Sequence, residues 1–161
     1  MGQSPYIGRL YLDLNEYEEA SQAYKNAADL KPDEFGYSCG ESLYFMRKFE
    51  EALPWMQASV KPNENNPIKW IYLGDCQAYT GHVADGERSY HKAIELDKDG
   101  KYPKSRFELG GLYWNNRHIE KAIKVWGDAV ERFPDYPDVK QVRNILRGTK
   151  FESLITWPST P

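Results

Sequence analysis

Apolar and small residues recur along this chain at three- and four-residue spacings, the period of an amphipathic helix and not of a strand. The pattern is cleanest from Leu109 to Pro134. Leu109, Gly110 and Tyr113 share one face of a first helix, and Ala122, Trp126 and Ala129 share one face of a second. Asn115-Asn116 is read as the turn between them, and Pro134 as the end of the unit. Three earlier stretches follow the same scheme. The first has Ile7-Gly8, Tyr11, Ala20, Tyr24, Ala27 and Pro32, with Asn15 at the turn. The second has Cys39-Gly40, Leu43, Ala52, Met56 and Ser59. The third has Trp70, Leu73-Gly74, Gly86, Tyr90, Ala93 and Leu96, with Gly81 at the turn. Spacing supports the assignment independently of residue type: Gly8, Gly40, Gly74 and Gly110 lie 32, 34 and 36 residues apart, and so do Ala20, Ala52, Gly86 and Ala122. Two markers on different helices therefore move together, and the chain divides into copies over 4–32, 36–62, 67–99 and 103–134.

Beyond Pro134, the stripe Val139, Val142, Ile145 and Leu146 predicts one further helix over 137–147, with Asp135 near its N-cap and Gly148 ending it. Stacked hairpins need such a terminal helix to keep the last apolar side dry. Residues 1–148 thus read as a single domain and 149–161 as a tail. With Phe151, Leu154, Ile155 and Trp157, that tail is a free end, an extension packed on the domain or a segment that docks on a neighbouring molecule. The small residues explain how the hairpins close. A side chain at the glycine positions would force the helices apart, whereas Tyr24, Met56, Tyr90 and Trp126 are the bulky partners that fill the space.

The order Leu-Gly-x-x-Tyr, then Ala-x-x-x-aromatic-x-x-Ala, then Pro resembles the tetratricopeptide repeat, and the likeness covers about residues 4–134. It implies an all-α fold of the α-α superhelix class, a right-handed solenoid of antiparallel helical hairpins. It also implies a non-enzymatic protein–protein interaction module, an adaptor that binds a peptide segment of a partner in its concave groove. In a solenoid that wall is lined by the first helix of each pair. Registering the copies puts Pro5, Tyr37, Ile71 and Phe107 in one row, Arg9, Glu41, Asp75 and Gly111 in the next, then Leu12, Tyr44, Ala78 and Trp114, and finally Asp13, Phe45, Tyr79 and Asn115. The expected peptide-binding residues are Tyr37, Glu41, Tyr44, Phe45, Ile71, Asp75, Tyr79, Phe107, Trp114 and Asn115. An aromatic groove with Glu41 and Asp75 at its centre suits a peptide with apolar anchors and a Lys or Arg. The alternative is that these rings pack between adjacent first helices. Chaperone co-factors of the family grip a C-terminal carboxylate with Lys, Asn, Asn, Lys and Arg. Their positions here hold Pro5, Arg9, Ser38, Ile68 and Tyr72, so that clamp is absent.

Charge narrows the partners. A net charge of −3 with no Lys/Arg block excludes nucleic acid as the main partner. No apolar run approaches the roughly 20 residues a membrane span needs, so no membrane insertion is expected. The N-terminus also lacks the basic and apolar regions of a signal peptide. Cys39 and Cys76 read as small buried hydrophobes, which favours a reducing compartment. A cytoplasmic location is expected, with the bacterial periplasm as the alternative if a signal sequence has been removed. Tyr102-Pro103-Lys104-Ser105 and Phe133-Pro134 are similar to segments of periplasmic, envelope-associated repeat proteins.

No catalytic constellation emerges. His82, His91 and His118 have no second ligand at metal-binding spacing. The glycines Gly81 and Gly86 lack the Lys and Ser/Thr of a phosphate loop. No cofactor and no metal are expected. Besides the adaptor reading, two others remain: a scaffold that self-assembles, as a homo-oligomer, through the tail or the open edge of the first repeat, and the targeting module of a larger enzyme or envelope-associated protein.

Overall fold

The computed structural model describes residues 5–61 and 64–155. Ser4, Pro62 and the tail from Thr156, including Trp157, lie outside the described residues, as do the side chains of Pro5 and of 150–155. The fold is all-α, of the α-α superhelix class, and no strand occurs among the described residues. The helices are α1 Pro5–Asp13, α2 Tyr17–Leu30, α3 Pro32–Phe45, α4 Phe49–Ser59, α5 Pro67–Tyr79, α6 Val83–Leu96, α7 Lys104–Asn115, α8 Ile119–Arg132 and α9 Val139–Ile155. They fall into two compact units, one up to Lys98 and one from Asp99 onward. In the first, each of α1 to α5 packs on the next. In the second, α7 packs on α8 and α8 on α9.

The turn inside each hairpin is built identically. Asn15, Arg47, Gly81 and Arg117 occupy one register position, and all four adopt the left-handed conformation, with φ of 60, 60, 84 and 62°. The next amide then reaches back five residues: Glu16 to the Tyr11 carbonyl at 2.8 Å, Lys48 to Leu43 at 2.9 Å, His82 to Gln77 at 2.8 Å and His118 to Tyr113 at 2.9 Å. This is the six-to-one bond of a Schellman end, which satisfies carbonyls the helix cannot. In the last copy Asn115 is still helical, and the turn falls on Asn116-Arg117, one residue later than Asn115-Asn116. Only one copy meets the left-handed φ with Gly; a generic composition rule does not anticipate arginine there.

Hairpins close through a glycine and a bulky residue, as the spacing requires. A Cβ on Gly8 would meet the Tyr24 ring at 2.7 Å, one on Gly74 the Tyr90 ring at 2.8 Å, and one on Gly110 would fall inside the Trp126 indole. In the second copy the same space is shared by Trp55 and Met56. Tyr90 is almost fully buried, and burying one such ring stabilises the unit by about 2 to 3 kcal/mol. Between hairpins of the first unit the core continues through Leu12, Ala28, Cys39, Leu43, Phe49, Ala52, Leu73 and Cys76. Both cysteines are buried, and burial pushes the Cys39 thiol up to about 11, away from thiolate chemistry.

Prolines mark the starts of helices. Pro32 opens α3 directly after α2, and Pro67 opens α5, whose Asn66 side chain caps the Ile68 amide at 3.0 Å. Pro54 is the exception: it is the sixth residue of α4, past the first turn, and its exposed ring faces away from the core. The last helix starts at Val139, two residues later than the apolar stripe suggests, and continues through Gly148 to Ile155. A single glycine costs about 1 kcal/mol in a helix interior, too little to end one by itself.

Candidate functional site

In the first unit the rows predicted to line a groove are joined to one another. Tyr37 on α3 is half-buried and donates its hydroxyl to Glu41 Oε1 at 3.1 Å, while Lys69 Nζ sits 5.2 Å over its ring. Burial raises the Tyr37 hydroxyl well above the ordinary tyrosine value and moves that of Tyr72 up to about 12. Tyr44 stacks on Tyr72 with centroids 4.2 Å apart, a contact between neighbouring first helices. Phe45 stacks on Tyr17 at 5.0 Å, and Tyr79 stacks on Phe49 at 4.4 Å beneath the Arg47 guanidinium. Phe45 and Tyr79 keep one side open to solvent, with 40% and 55% exposure.

Asp75 is a correction. Its place in the row made it an acid at the centre of the groove, yet it is 2% exposed. Tyr44 donates to Oδ2 at 2.6 Å and Tyr90 donates to Oδ1 at 2.7 Å, so the carboxylate ties α3 and α6 to α5 from inside. Ile71 is a second correction: it is buried at 3% exposure and serves as core. The alternative in which these side chains pack between helices thus holds for Tyr44, Ile71 and Asp75.

Glu41 remains half-buried, and burial holds its carboxyl above the usual glutamate range, offset in part by the Tyr37 hydroxyl and the Arg9 charge. The folded state therefore binds this proton more tightly than the unfolded chain. The contribution of Glu41 to stability falls as pH rises from the ordinary glutamate value through the raised one. Glu41→Gln should consequently gain stability relative to the parent over that acidic window and keep the gain at neutral pH. Urea midpoints of both proteins across the window measure this; a constant difference would contradict it.

The second unit presents an open feature. Between α7 and the start of α9 lies a cleft of about 420 Å³ lined by Phe107, Glu108, Gly111, Trp114, Asn115, Trp126, Asp138, Gln141, Val142 and Ile145. Three predicted residues, Phe107, Trp114 and Asn115, come together here. Phe107 departs from the expectation of an exposed ring: it is 5% exposed because Tyr136 stacks on it at 4.3 Å, so it forms part of the floor. Trp126 deepens that floor, with its ring centroid 5.7 Å from Trp114 and its indole N–H donating to the Phe107 carbonyl at 2.9 Å. Trp114 is half-buried and Asn115 exposed. Glu108 and Asp138 give the wall negative charge, Asn115 and Gln141 add amides, and no Lys or Arg lines it.

Sequence reasoning missed the α9 side of this cleft. Asp138, Gln141, Val142 and Ile145 recur at three- and four-residue steps, a signal present in the chain but read only for its apolar members. Among the described residues no group of three or more His, Cys, Asp and Glu could hold a metal ion. No helix among them is long and apolar enough to cross a membrane.

Comparison with known proteins agrees with this construction. Residues 7–34 match the family model of the tetratricopeptide repeat. Human protein O-mannosyl-transferase TMTC2 is 32% identical over 96 residues, which is 56% of this chain and 12% of TMTC2. The chain thus spans a small part of that relative. Among solved structures, MamA superposes with a TM-score of 0.77 at 18% identity, covering 89% of this chain and 84% of MamA. YrrB, described as a tetratricopeptide repeat protein with an unusual peptide-binding site, superposes with a TM-score of 0.77 at 23% identity, covering 85% of this chain and 71% of YrrB. At such identities the likeness is one of fold. With one copy matching the family model and the same glycine and turn registers repeated through four hairpins, the chain is built of tetratricopeptide-type repeats.

Proposed function

We propose that this protein is a non-enzymatic adaptor that binds a short peptide segment of another protein in the cleft between α7 and α9. The observation that carries the reading is the chemistry of that cleft: an aromatic floor from Phe107, Trp114 and Trp126, an acidic wall from Glu108 and Asp138, and no lining cation. An apolar side chain can fill the floor while a Lys or Arg on the same segment meets the wall, and the amides of Asn115 and Gln141 can bond the peptide backbone. The open volume accepts one or two anchoring side chains, which corresponds to micromolar affinity, about −8 kcal/mol, after association costs. YrrB, which shares the fold, has a peptide-binding site by its description, and this supports the same class of ligand here.

Selection of displayed random peptides on the intact chain tests the proposal. Enriched sequences should pair an aromatic or branched apolar residue with Lys or Arg. Trp114→Ala, on a half-buried ring, should weaken their binding at least tenfold by calorimetry with helicity unchanged, whereas Tyr37→Ala in the first unit should not. Unchanged affinity in Trp114→Ala would remove the cleft from consideration.

A further inference from the structure

The first helix carries an apolar stripe that has no cover among the described residues. Tyr6, Leu10 and Leu14 are 79%, 58% and 56% exposed, and Ile7 beside them is 43% exposed. Four-residue steps put Tyr6, Leu10 and Leu14 along one line, and Leu14 stays in the helical path because its amide bonds the Leu10 carbonyl at 3.0 Å. The register shows what this face is shaped for. Leu10 corresponds to Ser42 on α3 and Cys76 on α5, and Ile7 corresponds to Cys39 and Leu73; all four are buried. Those are the helices against which α2 and α4 pack. The stripe on α1 is thus a helix-docking face of the same construction, and it is more apolar at the Leu10 position than its buried counterparts.

We propose that this face pairs with the same face of a second copy, α1 against α1, antiparallel and two-fold symmetric. Charge is the deciding observation. Arg9 and Asp13 flank the stripe on one side and form an ion pair of 3.1 Å, both side chains being more than half exposed. In an antiparallel pair centred near Leu10, the two-fold axis brings the Arg9 flank of one copy opposite the Asp13 flank of the other, while Tyr6 meets Leu14 and Leu10 meets Leu10. The surface is therefore self-complementary in both shape class and charge, as an isologous contact requires. Head-to-tail stacking on α9 does not fit, because Lys140, Arg143, Asn144 and Arg147 are exposed there and would be buried against leucines. One helix per side lies at the small end of interface sizes, so the association is weak and reversible. This inference is independent of the peptide reading, which concerns α7 and α9.

Sedimentation of the intact chain over a concentration series tests it. The parent should rise from monomer toward dimer mass, and Leu10→Asp, a change at an exposed site, should remain monomeric with unaltered circular dichroism. Arg9→Asp and Asp13→Arg should each be monomeric alone and form a heterodimer when mixed, because the mixture restores both opposite-charge contacts. A parent that stays monomeric at every concentration would overturn the proposal and assign the face to a helix of another protein or of a preceding repeat. Association that survives Leu10→Asp, or single charge variants that associate as the parent does, would overturn it equally.

Discussion

Trp126→Ala is expected to destabilise the protein by about 3 to 5 kcal/mol, as removal of a large buried aromatic does, which is a large share of a typical 5 to 15 kcal/mol total. Its indole is 6% exposed, fills the space above Gly110 and donates to the Phe107 carbonyl at 2.9 Å. Truncation removes the packing and takes that hydrogen bond from a carbonyl at the cleft floor. The same contact predicts a reversal of sign. Gly110→Ala alone would place a Cβ within the indole and should cost about 1 to 3 kcal/mol by overpacking. In the Trp126→Ala background the space is vacant, and the gain in helix propensity, about 1 kcal/mol, should make Gly110→Ala stabilising. Denaturation of the four proteins completes a double-mutant cycle. Additive effects would show that the glycine and the tryptophan do not share one space.

Asp75→Ala is the second large effect, expected at about 3 kcal/mol. Hydrogen bonds to a carboxylate contribute about 1.5 to 3 kcal/mol each, and a buried group that loses its partner is costly. The Tyr44 and Tyr90 hydroxyls both donate to this carboxylate, and Tyr90 is 1% exposed. Asp75→Asn keeps one carbonyl acceptor and should lose less. Tyr90→Phe should cost little on top of Asp75→Ala, since the bond is already gone. Thermal unfolding separates these cases, with a shift of roughly 2 to 4 °C per kcal/mol for a chain of this size. An Asp75→Ala protein as stable as its parent would return this acid to the surface role its register position suggests.

These two residues also show what the chain reveals by itself. Trp126 was legible as a core residue because its partner Gly110 lies at a fixed distance in sequence and the pair recurs in every copy. Asp75 was misread because its row gives only a position around the helix axis. Whether that position meets solvent or a ring depends on Tyr44 and Tyr90, 31 residues before it and 15 after it. Ile71 and Phe107 were misplaced for the same reason: a row near the edge of a helical face is covered or left open by a neighbour, such as Tyr136, that no repeat pattern encodes. Phe45, Tyr79 and Asn115 lie one residue further around the helix, and that row alone is exposed at each of its described members. The cleft itself was half-legible. Its α7 side follows from the repeat, whereas its α9 side belongs to a helix outside the repeat, which has no second copy to register against.

Amide and indole chemical-shift mapping shows whether a peptide is taken up between α7 and α9. On titrating an enriched peptide into the labelled intact chain, the largest changes are expected at the Trp114 and Trp126 indoles and at Glu108, Asn115, Gln141 and Ile145, with α2 and α4 unaffected. Changes centred on α2 and α4, or on Tyr37 and Phe45 with the α7 and α9 signals unmoved, would place the peptide elsewhere and exclude the cleft as its site.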